Sequence, residues 1–418
     1  MKKIIKKRNF WLGVSACFLL IVIAYFVVPE IDNLQYEAQS NYEVPPPKDI
    51  VSPPVTIPVP ILSKEDSVVV THLDTPVPLK AVYMSSWVAG TPSFRNKIVG
   101  VIKRTELNAV VIDVKDYTGR ISFPVKDPKL IEVGSAQNRI TDIKSFIAEL
   151  HANNIYVIGR IATFQDPFLA KKWKDLAVKK LTDKNALWED DKCKREIKRN
   201  KESQCTYWLD SGSQKVWDYV VALGQEAYAD GFDEINYDYI RFPADGNMKD
   251  IYFPVSNGKA KVDVMTSFFK YLHDHFIGEQ NEITPRPKLS ADVFGMTMTN
   301  TDDLNIGQQL EHDAPYVDYL APMVYPSHFP PGWNNFKKPA TKPYEVIKVS
   351  MEKGVARMKA MSQDPKKLRP WLQDFNLGAI YTKELVDAQI KAVSDVGLDS
   401  WMLWDPANTY TEDALLPN

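Results

Sequence analysis

Acidic residues recur where short apolar runs end, and their chemistry suits sugar hydrolysis. Asp113 closes Val110-Val111-Ile112, with Asp116 three residues on. Asp238, Asp292, Asp374 and Asp405 stand at or just past the ends of four later runs. Cleaving a glycosidic bond takes two carboxyl groups, one protonated as the acid and one acting as nucleophile or as base for water. Asp238 and Asp292 are the candidate pair. Asp113, Asp116, Asp374 and Asp405 are alternatives or ligands for sugar hydroxyls, although an Asp in such a place also commonly caps the next helix. Arg160 ends another run and joins the candidate substrate ligands. Arg241 lies three residues beyond Asp238 and can pair with it or with another carboxylate and hold it ionised. Trp87, Tyr325, Trp371 and Trp404 offer flat apolar faces on which sugar rings stack.

Other chemistries lack their residues. The six histidines form no metal-ligand set, and His273 and His275 fall on different faces of one helical stretch. There is no Gly-x-Ser-x-Gly elbow and no glycine-rich phosphate loop, so no cofactor is implied. A net charge of −2 gives no general reason to expect a nucleic-acid partner. Aromatics make up 11% of the chain, which fits a carbohydrate ligand and equally fits a large core.

The elements that would position these residues repeat from residue 80 onward. Runs at 81–87, 109–114, 155–161, 234–240, 289–294, 319–324, 369–373 and 400–404 read as strands. Amphipathic stretches at 140–153, 213–230, 262–276 and 383–396 read as helices between them. Alternating strand and helix predicts a parallel sheet, and eight units predict a closed (β/α)8 TIM barrel over 79–418. The acids then lie at the C-terminal strand ends, the face where such barrels bind substrate. Asp238 and Asp292 fall on neighbouring strands. Period-two alternation along 234–240 puts Asn236, Asp238 and Ile240 on one face and Ile235, Tyr237 and Tyr239 on the other. Long inserts at 163–211 and 241–257 would wall the cleft.

The N-terminal part reads differently. Residues 1–9 are basic, and 10–28 run 19 residues without a charge, long enough to cross a bilayer. The positive flank predicts a signal anchor with the barrel on the extracytoplasmic side. Val14-Ser15-Ala16-Cys17 has the form of a lipoprotein processing box, so a lipid-modified Cys17 is the competing reading. Residues 29–78, with Pro45-Pro46-Pro47 and Pro53-Pro54, read as an extended linker. Outside the cytoplasm Cys193 and Cys205 would close a loop as a disulfide; otherwise they are free thiols.

The string Phe232-Asp233-Glu234-Ile235-Asn236-Tyr237-Asp238-Tyr239-Ile240-Arg241-Phe242-Pro243 resembles the glycoside-hydrolase-like barrel domain of membrane-anchored bacterial proteins. Supporting matches are Val111-Ile112-Asp113-Val114-Lys115-Asp116, Ser290-Ala291-Asp292-Val293-Phe294-Gly295 and Arg369-Pro370-Trp371-Leu372-Gln373-Asp374-Phe375. The resemblance covers nearly everything after the linker. It implies a glycosidase-type barrel with Asp238 and Asp292 as the catalytic pair. The expected function is hydrolysis of a cell-envelope or extracellular polysaccharide; the alternative is a non-catalytic carbohydrate-binding or scaffold barrel.

Overall fold

The computed structural model describes residues 64–199, 201, 205–278 and 280–418. All eight expected strands form: β1 (Lys80–Met84), β2 (Ala109–Lys115), β3 (Tyr156–Ala162), β4 (Glu234–Asp238), β5 (Lys288–Phe294), β6 (Tyr319–Met323), β7 (Trp371–Gln373) and β8 (Trp401–Trp404). They pair in parallel in chain order, and β8 closes on β1. Every residue of β2 and β3 is buried, as in a sheet covered on both faces.

Among the described residues six long helices cover the barrel: α1 (Pro92–Arg104), α2 (Ile143–Ala152), α3 (Gln214–Ala229), α4 (Lys261–Phe276), α5 (Pro343–Ala360) and α6 (Lys383–Asp395). Their apolar residues recur three and four apart, as Met265, Phe268, Leu272 and Phe276 do in α4, and that stripe faces the sheet. The β5–β6 connection holds no long helix, but one α-helical turn, Leu310–Asp313, between 3-10 turns at Gly295–Met298 and Ala314–Tyr316. Gly224 lets α3 lie close to β4: a Cβ there would meet Tyr237 Oη at 2.6 Å. Tyr237 anchors that contact by donating to Val220 O at 3.0 Å.

Two apolar clusters result. The larger fills the space between strands and helices. The smaller lies inside the barrel and includes Ala81, Val111, Ile158 and Met402. Two residues further along the same strands, on the same inward face, come Tyr83, Asp113, Arg160 and Trp404. The polar mouth is therefore the next layer above an apolar plug.

The predicted linker reached residue 78. Its last residues are instead fastened to the N-terminal end of the barrel. Leu73 N donates to Asp233 Oδ1 at 2.7 Å, Thr75 shares a hydrogen bond with Tyr156 Oη at 3.1 Å, and His72 stacks on Tyr228 at 3.9 Å. The basic segment, the expected anchor 10–28 and the linker up to 63 lie outside the described residues. Among the described residues no helix is long and apolar enough to cross a membrane. Cys193 and Cys205 form a disulfide in the β3–α3 insert.

Candidate active site

The mouth of the barrel is organised by Arg160. This residue stands on the inward row of β3, one inward position before Ala162, and pairs in register with Asp113 on β2 and Asn236 on β4. Its Nη1 donates to Asp113 Oδ1 at 2.6 Å, while Nε and Nη2 donate to Asp238 Oδ2 at 3.1 and 2.5 Å. Asp292 Oδ2 lies 3.8 Å from the same Nε. The guanidinium also sits 5.0 Å from the Trp404 ring, which stacks on Tyr83 at 4.0 Å. Burial opposes the charge on Arg160, but Asp238 and Asp113 outweigh it and hold the guanidinium protonated.

Asp292 has a different environment. Its Oδ1 accepts from Trp371 Nε1 at 2.8 Å and from Asn236 Nδ2 at 3.1 Å. Burial, then the nearby charge of Asp238, push its carboxyl up to about 8, against the opposing pull of Arg160. Asp292 is thus a carboxylic acid held neutral beside an ion-paired Asp238. Laid end to end, the 3.1 and 3.8 Å contacts to the shared Nε limit the separation of Asp238 Oδ2 and Asp292 Oδ2 to about 6.9 Å.

Both acids open onto one cavity of about 240 Å³, which Arg160, Arg241, Tyr325 and Trp404 also line. The sequence missed Tyr239, Phe294, Met296 and Phe329 on its walls. Tyr239 illustrates why. Strand β4 stops at Asp238 rather than at 240, and Tyr239 has φ +52°, a left-handed conformation rare for a bulky residue. The turn breaks the alternation and brings Tyr239 to the same cavity as Asp238. Its N–H donates to Asp238 Oδ1 at 2.6 Å, so both oxygens of that carboxylate are held. Such strain is tolerated where the surroundings fix it, often at functional sites. At Gly295 a Cβ would lie 2.4 Å from Met323 O, so only glycine lets β5 pass this wall.

Several expected ligands do other work. Asp113 is tied to Arg160 and accepts from Tyr83 Oη at 2.6 Å; it does not line the cavity. Arg160 lines the cavity, but each of its three nitrogens donates to Asp113 or Asp238. It also takes the pairing role expected of Arg241. Asp116 binds Arg139 and caps its own turn at Thr118 N, 2.9 Å. Asp374 accepts from Thr411 N and Oγ1 at 2.8 and 2.6 Å. Asp405 accepts from Ala407 N and Thr409 N at 3.0 and 2.9 Å. Asp116 and Asp405 close turns, because a short carboxylate at a strand end is also the nearest acceptor for the next free N–H groups, whereas Asp374 ties the end of β7 to the segment after β8. Trp87 is 64% exposed and lines a separate cleft under Arg139. Trp371 is buried, and its indole serves Asp292 rather than a sugar face.

The model of the family described as "Putative glycosyl hydrolase domain" matches residues 81–410. The chain belongs to that family. The matched range of this glycosyl hydrolase domain family takes in all of β2 to β8 and the whole mouth. Among solved structures, a hypothetical protein from Ruminiclostridium thermocellum is 32% identical over 51% of this chain and 97% of its own, with a TM-score of 0.42. An α-galactosidase from Thermus thermophilus is 11% identical over 81% of this chain and 59% of its own, TM-score 0.47. A chitinase from Cycas revoluta is 11% identical over 78% and 94%, TM-score 0.44. No curated protein matches.

Proposed function

We propose that the barrel hydrolyses a glycosidic bond in a cell-envelope or extracellular polysaccharide, with Asp238 as nucleophile and Asp292 as general acid. The observation that carries this reading is the unequal treatment of two neighbouring carboxyls on one cavity. Arg160 holds Asp238 by two N–H groups, whereas Asp292 accepts only from neutral donors within hydrogen-bond distance. Environments that push two carboxyls apart assign the base and the acid.

In the first step Asp292 gives its proton to the glycosidic oxygen while Asp238 attacks the anomeric carbon. The bond to the leaving sugar breaks, and a glycosyl ester forms on Asp238. Water, deprotonated by Asp292, then cleaves the ester and returns the proton. Nucleophilic attack needs carboxyls about 5–5.5 Å apart, and a base acting through water needs about 6.5–9.5 Å. The ceiling of about 6.9 Å on the two facing oxygens is compatible with the former, and the anomer of the first product tests it. Arg160 orients Asp238 for attack, and Trp404 and Tyr325 flank the sugar. The anchor read at 10–28 would hold the barrel outside the membrane beside such a substrate.

One observation favours the scaffold reading: Asp238 and Asp292 are only 5% and 2% exposed. Incubating the full-length protein with purified envelope polysaccharides separates the two. New reducing ends that appear first as the retained anomer by proton NMR support the nucleophile assignment. Binding without new ends supports the scaffold.

A further inference from the structure

We infer that Arg241 recognises an anionic oxygen group on the glycan, in the subsite beside the cleavage point, so that the substrate is an acidic polysaccharide. The inference uses the hydrolase reading only to say that the ligand is a glycan.

Arg241 follows the strained turn at Tyr239 and lines two spaces at once, the catalytic cavity and an adjoining cleft of about 540 Å³. Its guanidinium lies 4.9 Å from the Trp208 ring and 5.9 Å from the Tyr239 ring. Those aromatic faces fix the plane of the fork without occupying its N–H groups. Its hydrogen bonding is sparse: Nη1 donates to Phe242 O at 3.1 Å. Among the described residues it makes no ion pair. Arg160, one strand away, differs in this respect, since all three of its nitrogens donate to Asp113 or Asp238. An arginine carries five N–H donors and stays charged, so Arg241 has donors left for a ligand entering between the two spaces.

The other charges on the adjoining cleft do not satisfy it. Asp190 accepts from Cys193 N at 2.6 Å and from the Thr206 hydroxyl. Asp191 lies 3.8 Å from Lys194. Asp245 is exposed at the outer edge. Lys192 and Arg195 offset two of these three acids and Arg241 the third, so the wall has no excess of either sign. A general positive field is therefore not what would attract an anion. A single preorganised fork is, and it suits a carboxylate or a phosphate, which accept two parallel N–H bonds.

The test is a binding measurement that does not depend on cleavage. Full-length protein, Arg241→Gln and Arg241→Lys are titrated with an acidic bacterial envelope polysaccharide fraction. The same fraction is then used after carbodiimide–borohydride reduction of its carboxyls, and after removal of its phosphates with hydrofluoric acid. The wild type is expected to lose about tenfold in affinity on whichever treatment removes the recognised group, the size of one charge-assisted contact. Arg241→Gln is expected to lose the same on the untreated fraction and to discriminate no further. Arg241→Lys, a point charge, is expected to recover part of the loss. Circular dichroism checks that the variants fold. Equal wild-type affinity for treated and untreated fractions, unchanged discrimination in Arg241→Gln, or no binding of any fraction overturns the inference. Charge-dependent binding without cleavage would instead overturn the hydrolase reading and leave Arg241 in place.

Discussion

Arg160 grips Asp238 through two N–H groups while its remaining Nη1 holds Asp113. One buried fork thereby fixes the proposed nucleophile and ties three strand ends together. Lysine has the charge but not the fork. Arg160→Lys should lower kcat about 10- to 100-fold with a smaller change in KM, as loss of an interaction that orients the nucleophile would. Arg160→Met leaves buried carboxylates without their partner and should cost about 3–5 kcal/mol of stability. Denaturant unfolding measures the second effect and steady-state kinetics the first.

The basic limb of the pH–rate profile should belong to Asp292. Its carboxyl is protonated up to about 8, so proton donation is available below that pH and is lost above it. The rate of the first step should fall as pH rises through that region. The same group gives a stability slope. The folded protein keeps a proton that the unfolded chain, with a pKa of about 3.9, releases, so stability falls as pH rises between the two values. Asp292→Asn cannot ionise and should remove that slope. A thermal melt series from pH 5 to pH 9 reads it; an unchanged slope would show that Asp292 is not the group held neutral.

Asp374 and Asp405 should prove structural. Asp374→Ala strands the Thr411 N–H and hydroxyl, at a cost of about 1–3 kcal/mol. Its kcat should stay within about twofold of the wild type, since the residue does not line the cavity. A large fall in kcat with the melting temperature unchanged would return Asp374 to the substrate site.

The far end of the barrel carries a clasp on the N-terminal segment. Asp233 accepts from Leu73 N and Val157 N at 2.7 and 2.8 Å, and its Oδ2 lies 2.9 Å from His151 Nε2. Burial would raise its pKa, but the hydrogen bond with His151, with His72 3.8 Å away, more than reverses this. The depressed value means that the contribution is present at neutral pH and lost as pH falls through the folded pKa. Asp233→Ala should cost about 1–3 kcal/mol and expose residues 68–78 to limited proteolysis at pH 7. Equal cleavage rates in both proteins would show that other contacts hold the segment.

The strand order was legible because the relevant signal is local. A buried parallel strand is a short apolar run, and eight such runs alternating with amphipathic helices close naturally into a barrel. The inward acids were legible from the same alternation, which is why Asp113, Asp238 and Asp292 reach one mouth. What failed is what depends on partners far apart in sequence. Nothing near Arg160 says that it, rather than Arg241, meets Asp238; that follows from β3 lying between β2 and β4. The turn at Tyr239 hid behind a run that reads as unbroken strand to Ile240. A strand-end Asp that binds a sugar, one that caps a turn, as at Asp405, and one that ties down a distant segment, as at Asp374, look alike until the N–H groups opposite them are placed.

The assignment of Asp238 and Asp292 is most directly tested by the rate at which full-length protein, Asp238→Asn and Asp292→Asn release reducing ends from one cleaved polysaccharide at pH 7. Each substitution is predicted to lower the rate roughly 10²- to 10⁴-fold while the melting temperature shows an intact fold. A folded variant at either position that matches the wild-type rate would contradict the pair.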